Sequence, residues 1–135
     1  MKRKTFLTLT SCIALAIGVF VLAVPEVMIA SVKLAAPSEA ANVMARTVGV
    51  LLITVGILDF LVRNHEESPT LLAVLIANLV LQIGIMPIDP MAYASGVYKT
   101  LGSCLPNTIL HLFLAVGFAY YLLKMKTPRA LEVRS

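Results

Sequence analysis

The chain has 135 residues, 59% of them hydrophobic and 13% charged, with a mean hydropathy of +0.93 and a formal net charge of +4. So apolar a composition excludes an ordinary water-soluble domain, and seven prolines, seven glycines and few charges fit neither a disordered linker nor a collagenous repeat. The solvent to reason in is the lipid bilayer.

A spanning helix needs about 20 largely apolar residues to cross a hydrocarbon core about 30 Å thick. Four stretches meet that length. The first is 5–24, where Pro25 and Glu26 end the apolar run. Lys2, Arg3 and Lys4 ahead of it also suit a signal peptide. The apolar stretch is too long for one and no small-x-small cleavage site precedes Pro25, so it is read as a retained anchor. The lipoprotein-like tetrad Leu9-Thr10-Ser11-Cys12 has too short an apolar segment before it. The second stretch, 42–62, has Ser38 after Pro37 as its start signal and stops at Arg63, Asn64, His65, Glu66 and Glu67. Ser68 followed by Pro69 is a cap-then-first-residue pair, so the third stretch is 69–86, interrupted by Pro87. The fourth is 103–123, with Pro106 expected in its first turn. Segments 25–41 and 88–102 are expected along the membrane surface. In the latter, Asp89-Pro90 reads as the cap and first residue of a short helix, with Tyr93 and Tyr98 at headgroup level. With no convincing repeat and no separate domain, 1–135 is a single all-α, membrane-embedded bundle of four transmembrane helices.

Lys and Arg in short flanks resist translocation and set orientation. Lys2, Arg3, Lys4, Arg63, Lys124, Lys126, Arg129 and Arg134 fall on one side, and Lys33, Arg46 and Lys99 on the other. Both termini are therefore expected in the cytoplasm, in a bacterial inner membrane. The positive charge reflects topology and attraction to anionic lipid, and gives no support for nucleic acid as a partner. Cys12 and Cys104 fall at opposite ends of their helices, without the spacing of a redox pair or a zinc site, and each is read as a small buried hydrophobe. No metal or cofactor is expected. A haem held by two histidines would need His65 and His111 at one depth, and they are not.

Polar groups at membrane depth are costly unless they face a partner or a cavity, so they carry most of the functional information. Asn78 lies near mid-membrane, His111 a few Å outward, Gln82 roughly 6 Å outward, and Arg46 and Asn107 roughly 10 Å outward. Asn78 and Gln82 are i,i+4 on one helix, and Asn107 and His111 are i,i+4 on another, so each pair shares a face. The second, third and fourth helices are expected to converge on a polar pocket in the outer leaflet, with Arg46 at its mouth and His111 at its floor. Competing readings are that Arg46 snorkels to the headgroups and that the two amides are interhelical hydrogen-bond glue. Asp59 and Arg63, also i,i+4, are read first as an intrahelical salt bridge. The alternative is a proton or cation gate facing Thr8, Thr10 or Ser11 of the first helix. Ala45, Gly49 and Gly56 favour close helix contact, within the bundle in preference to a homodimer, and Gly18, Gly84 and Gly117 are candidates for the same.

Arg46-Thr47-Val48-Gly49 with Gly56 and a closing Arg63, after a hydrophobic helix ending near Pro25, resembles the small four-helix membrane proteins of bacteria, including the broadly DoxX-like group. The resemblance covers the first half of the chain and implies a four-helix membrane fold, with no site residues carried over. On function, the first expectation is a non-catalytic accessory subunit of a larger membrane complex, or a binder of a lipid-like or small polar ligand in the pocket. The alternative is a small oligomeric transporter or channel component, proton-linked through His111 or Asp59. An enzyme is disfavoured, because no nucleophile and orienting carboxylate accompany His111 at its depth.

Overall fold

The computed structural model describes residues 1–31 and 38–125. These form six helices in the order α1 (Arg3–Ala23), α2 (Pro25–Ser31), α3 (Glu39–Val62), α4 (Pro69–Ile85), α5 (Ile88–Ala94) and α6 (Leu101–Lys124). By length and apolar composition, four segments built on α1, α3, α4 and α6 can cross a membrane. The orientation-setting residues Lys33, Lys126, Arg129 and Arg134 lie outside the described residues, as does 32–37 of the expected surface segment.

The caps follow from the sequence. Ser38 accepts a hydrogen bond from Ala41 N and Ser68 accepts one from Leu71 N, each satisfying a helix-terminal donor. Ser38 therefore starts α3 at Glu39, three residues before the apolar run begins at Asn42. Asp89 is not the cap of the short helix: that position is Pro87, and Asp89 lies within the first turn with its side chain buried. Pro106 is not in a first turn either, because α6 begins at Leu101 and places the proline inside the helix.

Polarity is inverted relative to a soluble protein. Thr10, Ser11, Asp59, Asn78, Gln82 and Asp89 are buried, whereas Val43, Leu51, Leu61, Val80 and Leu123 are exposed. Hydrocarbon around the bundle makes that distribution favourable, and water would make it costly.

The spans are arranged as two pairs, α1 packing chiefly along α3, and α4 along α6. Glycines let the first pair approach closely. A Cβ at Gly49 would sit 2.8 Å from Leu22 N, and one at Gly18 would sit 2.9 Å from Gly49 O. Ser11 Oγ donates to Gly56 O across the same contact at 2.7 Å. The small-residue face of α3 is thus used inside the chain, while Gly84 meets nothing within 4 Å. Cys104 is buried, but Cys12 is exposed on the outside of α1, contrary to the expectation for it.

The two pairs meet in an apolar cluster of Phe6, Leu7, Val62, Leu71, Val74, Leu75, Leu114, Phe118 and Tyr121. Phe6 stacks edge-on to Phe118, with ring centroids 4.9 Å apart, and lies against Gly117. These residues come from the start of α1, the end of α3, the start of α4 and the latter half of α6, so the apolar packing that joins the two pairs is at one end of the bundle. That end carries Lys2, Arg3, Lys4, Arg63 and Lys124 and is called the basic end below. There Arg3 Nη2 donates to His65 O at 2.7 Å, and Tyr121 Oη donates to Met1 O at 2.8 Å.

Candidate functional site

Next to the apolar cluster, with Leu114 and Phe118 belonging to both, the two helix pairs leave a space of about 80 Å³, lined by all four spans. Its polar lining is Thr10 of α1, Asp59 of α3, Asn78 and Gln82 of α4, and Asn107 and His111 of α6. Four of the five residues expected to form a pocket are therefore together. The first helix, which was not expected to contribute, supplies one wall.

Hydrogen bonds sort the polar lining into three groups, the last of which joins it to Asp89 and Tyr98 beyond the cavity. Nearest the basic end, Thr10 Oγ1 donates to Asp59 Oδ2 at 2.9 Å and Asn78 Nδ2 donates to Asp59 Oδ1 at 2.8 Å, joining α1, α3 and α4. One turn along α4, Gln82 Oε1 lies 2.5 Å from His111 Nδ1. A carbonyl oxygen only accepts, so this pairing suits the tautomer with its hydrogen on Nδ1, in which Nε2 is bare and able to take a proton. One turn along α6 from His111, Asn107 Nδ2 donates to Asp89 Oδ2 at 2.7 Å and Tyr98 Oη donates to Asp89 Oδ1 at 3.2 Å. Burial, reinforced by the Asp89 carboxylate, pushes the Tyr98 phenol up to about 12, so it remains a donor at ordinary pH.

The Asp59–Arg63 salt bridge is not formed. Asp59 is 1% exposed and turned into the bundle, whereas the Arg63 guanidinium bonds the Phe60 carbonyl and lies 3.3 Å above the Phe60 ring centroid. Asp59 is instead taken up by donors from α1 and α4, while Arg63 at the helix end gains a carbonyl and an aromatic face without entering hydrocarbon. Of the gate partners considered for Asp59, Thr10 is the one in contact, while Thr8 donates to Lys4 O and Ser11 to Gly56 O. Arg46 does not stand at the pocket mouth. It is exposed on the face of α3 that also presents Val50 and Ile57, and it is not part of the cavity lining.

Asp89 was missed as a site residue because Asp-Pro reads so readily as a helix start. Its signal was an acid set between Ile88 and Met91 beside tyrosines, in a segment too apolar to float free. Among the described residues the sole ion pair is Arg3 with Glu67 at 3.9 Å, so neither Asp59 nor Asp89 has a cationic side chain to neutralise it. A buried carboxylate in that position must hold a proton or recruit a cation. No family model, curated protein or solved structure matches the chain.

Proposed function

We propose that this chain is a small, non-catalytic, proton-linked component of a bacterial inner membrane, a transporter or channel part in which protons move between Asp89 and Asp59 by way of His111. The observation that carries this reading is the line of three hydrogen-bonded groups, each one helical turn from the next, with a carboxylate at either end that has no ionic partner among the described residues. Amides do not titrate at ordinary pH, so Asn78, Gln82 and Asn107 would hold and orient water in the space between the ionisable groups. About 80 Å³ accommodates several waters or a small ion and lies far below the roughly 300–1,000 Å³ of pockets that enclose drug-sized molecules. That size favours a proton or ion over a lipid-like guest. The excess of Lys and Arg at the basic end supports placing that end in the cytoplasm.

Liposomes carrying the protein and an enclosed pH-sensitive dye test the proposal. Under an imposed pH gradient, protein-containing vesicles are expected to equilibrate faster than empty ones, and Asp59→Asn is expected to bring the rate back to that of empty vesicles. Identical rates for wild type and empty vesicles would overturn it.

A further inference from the structure

Protons alone leave one atom of the seam unexplained. Asn78 is 4% exposed, its Nδ2 donates to both Asp59 Oδ1 and Val74 O, and its Oδ1 has no hydrogen-bond partner. A buried amide oxygen without a donor is a costly arrangement in a span, and the adjacent cavity is where a donor or a cation can meet it. The neighbouring groups are chosen in the same sense. Thr10 Oγ1 stands 2.9 Å from Asp59 Oδ2, and Thr10 and Asp59 are 4% and 1% exposed. Three helices thus bring a carboxylate, a hydroxyl and an amide to one wall of a space large enough for an ion with some of its water.

We propose that Asp59, Thr10 and Asn78 form a binding site for a small alkali cation, with sodium as its ligand. Donor chemistry sets the class. All three side chains offer oxygen, which suits hard cations, and among the described residues no group of three His, Cys, Asp or Glu side chains comes together as divalent transition metals require. A single carboxylate balances one positive charge, whereas calcium sites gather several carboxylates and carbonyls into six to eight ligands. Among the described residues no ion pair forms at the site. Asp59 faces Thr10 from α1 and Asn78 from α4, shares the cavity with His111 of α6, and is not paired with Arg63 on its own helix. The Asn78 amide either admits the ion beside Oδ1 as it stands or turns about its terminal bond to bring Oδ1 toward Asp59, giving up the Nδ2 bonds to both Asp59 Oδ1 and Val74 O in exchange for the ion.

This proposal rests on reading the seam as an ion path, but it is tested without flux. The thermal unfolding midpoint of the full-length protein in mild detergent is measured at pH 8 in sodium, lithium, potassium and choline chlorides at equal ionic strength, with radioactive sodium binding on the same samples. Sodium is expected to raise the midpoint saturably and choline not at all. Asp59→Asn is expected to abolish both the shift and the bound sodium, and Thr10→Ala to raise the half-saturating sodium concentration roughly tenfold. Equal midpoints in sodium and choline, with no retained sodium in wild-type protein, would overturn the assignment even if the variants fail to fold. Proton flux in liposomes together with that result would leave the proton reading standing and the sodium site refuted.

Discussion

At the scale of single residues, the chain buries its two aspartates beside neutral donors. Asp89 is the case with the clearest pH consequence, because Tyr98 donates to it and has its phenol raised to about 12 from an ordinary value of 10.0. The folded state then holds the phenolic proton more tightly than the unfolded chain does. This contribution to stability is fully present below the unfolded value and is lost as pH rises toward the folded one. Between about pH 10 and 12 the thermal midpoint of wild type is expected to fall more steeply than that of Tyr98→Phe, and parallel curves would count against the Tyr98–Asp89 bond. Much of the polar lining is legible in the residues themselves, since Asn78 with Gln82 and Asn107 with His111 fall one turn apart on apolar helices. Asp59 is legible as costly but not as to its partner. Local spacing offers Arg63, and only the packing of α1 and α4 against α3 decides for Thr10 and Asn78.

Helix ends are readable where a serine side chain can satisfy a terminal donor, as at Ser38 and Ser68, because that chemistry is local. They are less readable around Pro106, where α6 begins before the proline at Leu101. Helix pairing is readable only in part, since glycine spacing announces a close contact without naming the partner. The structure gives the partner of Gly49 and Gly56 as α1 and leaves Gly84 without one. A contrast in substitution follows. Gly49→Leu drives a side chain into the Leu22 backbone and is expected to destabilise by about 1–3 kcal/mol, the usual cost of overpacking. Gly84→Ala meets open space, improves helix propensity by up to about 1 kcal/mol, and is expected to be neutral or stabilising. Detergent unfolding midpoints of the two variants compare these effects directly, and equal losses would refute the α1–α3 packing.

Over the whole molecule, the apolar packing that joins the two pairs at the basic end and the polar, looser seam beyond it give the bundle two unlike halves. Composition makes the four spans and their common axis legible, but not this lengthwise asymmetry, which depends on which side chains of four helices meet at each level. In the topology proposed above, the packed half beside the excess of basic residues faces the cytoplasm. Affinity tags on both tails are accordingly expected to resist labelling in intact spheroplasts and to react after permeabilisation. Labelling of either tail from outside would reverse or break the topology.

The reach of Arg3 to the carbonyl of His65, 62 positions further along, has a consequence for how such a chain is made. While the ribosome is still delivering α3, the guanidinium has neither His65 nor Glu67 to hold, and phosphate or water must answer its charge. Release of the turn before α4 supplies both partners at once and staples the first hairpin shut. Everything that closes the first hairpin, Arg3 included, thus lies in the chain before α4 begins at Pro69, and the second hairpin contributes nothing to that latch.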